Sequence, residues 1–194
     1  MTVEAPLNEA QRDALRELAN VAAGQAAAVL SRRLSGERVQ FQPPEARSFS
    51  LSQLALRLGG EGAARVAAGL EVGGAVQGAV WLVFALEDAA WLASRLGGDA
   101  GSDEEGVDEA LGGTAREAAA AALQAMGKLT GLRLQPASPL SRRCSAPALA
   151  KSLCRESSPL VLQAHLEARA FAAEFLFLPG SGALAPLLAS LRVS

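Results

Sequence analysis

The chain has little of what nucleophilic and metal-assisted catalysis usually require. It carries one histidine, His165, and two cysteines, Cys144 and Cys154, which form no CxxC pair. These three residues are too few for an ordinary zinc cluster, so free thiols in a reducing cytosol are expected. Ser-His-Asp or Cys-His chemistry would have to use His165. That residue lies in an expected strand beside Leu166 with no nucleophile elbow, which points to a structural or surface role. The one Gly-Lys step, Gly127-Lys128, is followed by Leu129 where a phosphate loop needs Ser or Thr. No uninterrupted apolar run reaches about 18 residues, so no transmembrane helix is expected. The opening Met1-Thr-Val-Glu-Ala-Pro-Leu lacks a basic region and an apolar core, so no signal peptide is expected and a cytoplasmic location follows. The net charge of -2 is scattered and forms no basic stripe, which argues against nucleic acid as a partner. Asparagine occurs only twice, as Asn8 and Asn20.

What is present is a globular composition. Half of the 194 residues are apolar, with much alanine and glycine, enough for one domain or two tightly packed halves with a sizeable core. Asn8, with Gln11 as capping-box partner, starts a helix from Glu9 to about Leu34 that stops at Gly36. Val39 to Gln42 reads as a strand ended by Pro43-Pro44. Ser50 to Leu58 is a short amphipathic segment. Ala64 to Val72 and Ala75 to Phe84 read as a hairpin joined around Gly73-Gly74, with Trp81 as core packing. Leu86 to Leu96 reads as a helix closed by Gly97-Gly98.

Residues 98–107 read as an acidic, Gly-rich surface linker, in which Asp103-Glu104-Glu105 is solvated charge rather than a metal site. The order then restarts. Asp108 to Leu129 is an expected helix, weakened by Gly112-Gly113 and so expected to begin late, near Thr114. Leu132 to Gln135 is a strand before Pro136 and Pro139. Ala146 to Cys154 is a short helix, Pro159 to Ala168 and Ala170 to Leu178 are strands, and Ala183 to Leu191 is a final helix. Leu70-Glu71 in the first half answers to Leu166-Glu167 in the second. The expectation is one α+β, two-layer domain made of an internal repeat, about 7–97 and 108–194. Its two long helices lie side by side on an antiparallel sheet about a pseudo-twofold axis.

One stretch stands out: Asp13-Ala-Leu-Arg-Glu17-Leu-Ala-Asn20, with Pro43 twenty-three positions after Asn20. Asp13, Glu17 and Asn20 stand at i, i+4 and i+7, on one helix face, while Leu15, Leu18 and Ala22 point inward. Polar residues on a solvated face are ordinary. The whole pattern, with Asn20-Val-Ala-Ala-Gly24-Gln-Ala-Ala-Ala running into Leu30-Ser31 and Val39-Gln-Phe-Gln-Pro43, resembles the signature of the CheC/CheX/FliY family of chemotaxis phosphatases. CheC is the nearest type. Gly24, one turn beyond Asn20, serves either close helix packing or room for a docking partner.

The resemblance implies a phosphatase of the aspartyl phosphate on a CheY-like receiver domain. Asn20 would orient the attacking water and Glu17 would pair with the receiver's active-site lysine. Asp13 and Gly24 would contribute to docking. No cofactor is implied on this chain; Mg²⁺ is expected on the receiver. Setting Pro139 on Pro43 maps Asp13 onto Glu109, Glu17 onto Gly113 and Asn20 onto Arg116. The second copy thus lacks the family's Glu and Asn, so one site is expected, in the first helix. The family also includes flagellar-switch relatives and proteins that bind the deamidase CheD, so a non-catalytic receiver- or CheD-binding module is the alternative. The segment Ala146 to Leu153 is where a CheD contact would fall, and Ala150→Lys would then weaken that contact alone.

Overall fold

The computed structural model describes residues 7–96, 104–154 and 159–193. Helix α1 (Glu9–Arg33) leads to strands β1 (Gln40–Phe41) and β2 (Glu45–Ser48), helix α2 (Leu51–Arg57), hairpin β3 (Ala64–Gly74) and β4 (Gly78–Ala85), and helix α3 (Leu86–Arg95). The order repeats as α4 (Glu104–Thr130), β5 (Leu134–Ser145), α5 (Ala146–Leu153), β6 (Leu160–Glu167), β7 (Ala172–Pro179) and α6 (Leu184–Ser190). The class is α+β, as expected, with the two long helices adjacent on an antiparallel sheet.

The sheet runs β1-β6-β7-β4-β3-β5, with β2 also pairing β6. The β4–β7 pair lies at its centre, with Trp81 opposite Leu176. The halves exchange their outer strands. From the first half, β2 pairs with β6, and from the second, β5 pairs with β3. Neither half therefore has a complete sheet of its own, and both halves share one sheet.

Alternation along the strands sorts two cores. Leu162, Ala164 and Leu166 face the α1/α4 side, in a cluster with Leu15, Leu18, Ala22, Ala118 and Ala122. Val161, Leu176 and Trp81 face the other side, covered by Phe49, by α2 through Leu54 and by α5 through Leu149 and Ala150. The alanine-rich stripes of α1 and α4 let the two helices pack closely, because interaxial distance is set by side-chain size at the contact. At the end of α1, Arg33 Nε donates to Glu117 of α4 at 2.7 Å.

Several local expectations differ from the structure. Strand β1 ends before Pro43-Pro44 as expected, but a further strand, β2, follows from Glu45. The Pro136 and Pro139 expected to end a strand lie inside β5, which is tolerated because β5 is the outer strand and proline lacks a ladder donor. A register shift opposite Leu70 and Val72 absorbs the irregularity. The hairpin turn falls at residues 75–77, beyond Gly73-Gly74, which belong to β3.

The largest difference is α4. It starts at Glu104, within the expected linker, and runs through Gly112-Gly113. Buried Leu111, Ala115, Ala118, Ala122 and Met126 form a stripe whose packing outweighs the glycine cost of about 1 kcal/mol per residue. Glu105 therefore stands in the first turn of a helix, a position where the dipole favours an acid; Asp103 and the rest of the expected linker before it lie outside the described residues. So does the N-terminal stretch 1–6. Among the described residues, no helix is long and apolar enough to cross a membrane.

Candidate functional site

The site begins with a helix cap. The Asn8 side chain accepts from Gln11 N–H at 2.8 Å, and the Gln11 side chain accepts from Asn8 N–H at 3.0 Å. This reciprocal pair satisfies orphan donors and fixes where α1 starts. Leu15, Leu18 and Ala22 are fully buried, which fixes the helix's rotation. Asp13, Glu17 and Asn20 then face solvent on the opposite side.

The spacing to Pro43 has a geometric reason. From Asn20 to Arg33 there are thirteen helical residues, a climb of about 20 Å. Ser35 and Gly36, both at positive φ, reverse the chain. Ser31 Oγ accepts from Val39 N–H at 3.0 Å and holds the returning segment against α1. Six steps from Glu37 to Pro43, at about 3.3 Å each in extended form, descend about 20 Å again. Pro43 thus arrives beside Asn20.

The result is a cleft of about 470 Å³ lined by Asp13, Arg16, Glu17, Asn20, Phe41, Pro43 and Pro44. One wall is the polar face of α1; the other is the edge segment around β1. Arg16 Nη1 donates to Asp13 Oδ1 at 2.9 Å, with both side chains about half exposed. Gly24 does not line the cleft. The Phe41 ring occupies the space beside it, 3.7 Å from where a Cβ would stand.

Arg16, Phe41 and Pro44 were not singled out from the sequence. Arg16 was legible by spacing alone: it stands three residues after Asp13 and four before Asn20, on the same face. Phe41 and Pro44 join through strand placement, which spacing does not give.

The second copy is different. Glu109, Gly113 and Arg116 are all exposed on α4. The Arg116 Nη1 stands 3.2 Å from where a Cβ on Gly112 would be, so the guanidinium uses the space that glycine leaves. Pro139 lies in β5, opposite Leu70.

Elsewhere, His165 Nδ1 lies 2.7 Å from Glu174 Oε1, its cross-strand neighbour, and Gln163 Nε2 donates to Glu174 Oε2 at 2.8 Å. This group sits beside Pro43 on the α2 side of the sheet edge, in a second cleft with Glu45 and Arg57. Cys144 and Cys154 are both partly buried. Among the described residues, no three His, Cys, Asp or Glu side chains gather as a metal site would need.

No protein-family model and no curated protein sequence matches the chain. Among solved structures it is similar to Thermotoga maritima FliY, with TM-score 0.75 and 17% identity over 96% of this chain and 98% of that one. A chain of the CheX–CheY–BeF3–Mg²⁺ complex from Borrelia burgdorferi matches with TM-score 0.59 and 16% identity, over 82% of this chain and 96% of that one. The FliM middle domain from Vibrio alginolyticus matches with TM-score 0.60 and 12% identity, over 91% and 99%. The chain therefore has the duplicated α+β fold of the CheC/CheX/FliY proteins, which the FliM middle domain shares.

Proposed function

We propose that this protein is a phosphatase of phosphorylated receiver domains, acting through the cleft on α1. The observation that carries this reading is the convergence of Asp13, Glu17 and Asn20 with Pro43 on one open cleft, on the fold of FliY and CheX. In the relative from Borrelia burgdorferi, CheX is in complex with CheY carrying BeF3 and Mg²⁺.

The reaction is hydrolysis of an acyl phosphate. A water oxygen attacks phosphorus, the bond from phosphorus to the aspartyl carboxylate oxygen breaks, and the products are a free carboxylate and inorganic phosphate. The Mg²⁺ belongs to the receiver and arrives with the substrate. What remains for this chain is chiefly to place a water in line with the breaking bond. The Asn20 carboxamide suits that role, because it both donates and accepts, and its neutrality spares the phosphoryl group any repulsion. Glu17, one turn away, pairs with the receiver's active-site lysine and sets the docking register. An open, solvent-facing site fits a substrate that is itself a folded protein. A cytoplasmic location goes with that substrate.

The test is the decay of a phosphorylated receiver with wild-type protein, Asn20→Ala and Arg116→Ala. Acceleration by the wild type and by Arg116→Ala, abolished in Asn20→Ala, is the expected result. A wild type that leaves the decay unchanged overturns the phosphatase reading. If it still binds the receiver, the protein is a non-catalytic binding module; the fold shared with the FliM middle domain supports that second reading. A CheD contact, if made through α5, would use the exposed Pro147, Ala148, Lys151 and Ser152 rather than Ala150, which is fully buried.

A further inference from the structure

The charges on the cleft raise a difficulty that Asn20 and Glu17 do not resolve. Its lining includes two carboxylates, Asp13 and Glu17, and a phosphoryl group approaching them is repelled. Arg16 is the one cation among the lining residues. We infer that Arg16, held in place by Asp13, is the residue of this cleft that binds an anionic group of the incoming receiver, with the phosphoryl oxygens as the first candidates. This rests on the phosphatase reading and assigns a role to a residue outside the Asp-Glu-Asn pattern.

Three observations carry it. First, Arg16 and Asn20 are four residues apart, so their Cβ atoms lie on one face about 6 Å apart along the helix. An arginine side chain spans that distance. Its head can reach an oxygen on a phosphorus atom whose attacking water is held by Asn20.

Second, the guanidinium rests on Asp13 with donors to spare, and turns from there toward Asn20 to meet an anion. Asp13 takes a single bond, from Nη1 to Oδ1 at 2.9 Å. A guanidinium has five N–H donors in a fixed planar fork, so one bond to Asp13 leaves donors for an anion. Planar forks suit phosphoryl oxygens better than a point charge does.

Third, the partnership reassigns Asp13. Its carboxylate sits a full turn before Glu17 and two before Asn20, too far along α1 to share a reacting atom with Asn20. As the anchor of Arg16 it acts indirectly, and it is a positioning residue.

The experiment uses the full chain and has two arms. In the first, receiver dephosphorylation is measured with wild type, Arg16→Ala, Arg16→Lys, Asp13→Asn and the Arg16→Ala/Asp13→Asn double variant. Arg16→Ala should raise KM about tenfold, the worth of one charge-assisted hydrogen bond, and leave kcat nearly unchanged. Arg16→Lys should recover much of the loss. Asp13→Asn should raise KM less, and should raise it no further once Arg16 is gone, because its support runs through that side chain while its bare charge only repels the phosphoryl group. In the second arm, binding to the receiver with and without beryllofluoride is measured by titration for wild type and Arg16→Ala. A loss confined to the beryllofluoride-loaded receiver places the contact on the phosphoryl oxygens. An equal loss for both forms places it on carboxylates of the receiver surface. Unchanged KM and unchanged binding of both forms in Arg16→Ala overturn the inference while leaving the phosphatase reading standing. A wild type that binds the receiver without hydrolysing it sinks the phosphatase reading instead, and the binding arm still decides the role of Arg16.

Discussion

Replacing Gly113 by alanine should stabilise this protein by about 1 kcal/mol. The position is exposed, lies within α4, and has ordinary helical backbone rather than positive φ. A Cβ built there meets nothing within 4 Å, so the substitution carries no steric cost. What remains is the difference in helix propensity, together with the smaller freedom of alanine in the unfolded chain. For a chain of this size the gain corresponds to about 2–4 °C in Tm. Gly112→Ala is the internal comparison. Its Cβ would stand 3.2 Å from Arg116 Nη1, so the guanidinium must swing aside and the gain should be smaller. The assay is urea unfolding followed by circular dichroism, comparing midpoints at constant slope. An unchanged or lowered midpoint for Gly113→Ala would refute the continuous helix and restore a break at the paired glycines.

Two further outcomes follow from burial. Ala150→Lys should lower stability by about 3–5 kcal/mol, since it places an unpaired charge in the core beneath α5, whereas Lys151→Ala on the exposed side should leave Tm nearly unchanged; a tolerated Ala150→Lys would mean that α5 is not packed on the sheet. Asp88, in the first turn of α3, has its carboxyl held above the usual aspartate range by burial. Glu87 adds to that, and a bond from Ala172 N–H and the charge of Arg65 oppose it. A carboxyl whose folded pKa is raised costs stability while ionised, so the cost is full above its folded pKa and fades as pH falls toward the unfolded value of 3.8. Asp88→Asn should therefore raise Tm at neutral pH and lose that advantage near about pH 3. An advantage that persists unchanged in acid would contradict burial of the charge as the cause.

The parts of the fold legible in the sequence are those that neighbouring residues decide. The start of α1 is written in Asn8 and Gln11, whose two hydrogen bonds are local. The face that carries Asp13, Glu17 and Asn20 follows from helical period and from Leu15, Leu18 and Ala22 on the other side. The hairpins and the repeat were legible from alternation over a few positions, although the first turn falls at 75–77 and not at Gly73-Gly74. What was not legible depends on residues distant in sequence. Glycines at 112 and 113 argue against a helix, and only packing of Leu111 and the alanines after it reverses that. Prolines at 136 and 139 argue against a strand, and only an outer position in the sheet makes them acceptable.

The sequence by itself determined the repeat, the long first helix, the placing of its polar face and the loss of Asn from the second copy. The tertiary structure decided what that face meets. Exchange of the outer strands between halves brings β1 and β2 to the edge beside β6, and so brings Phe41, Pro43 and Pro44 opposite Asn20. It also placed the Phe41 ring beside Gly24 and set Ala150 in the core. The physical reason is range: caps and periodicity act over one or two turns, while a cleft between a helix and a sheet edge exists only once strands far apart in the chain have paired.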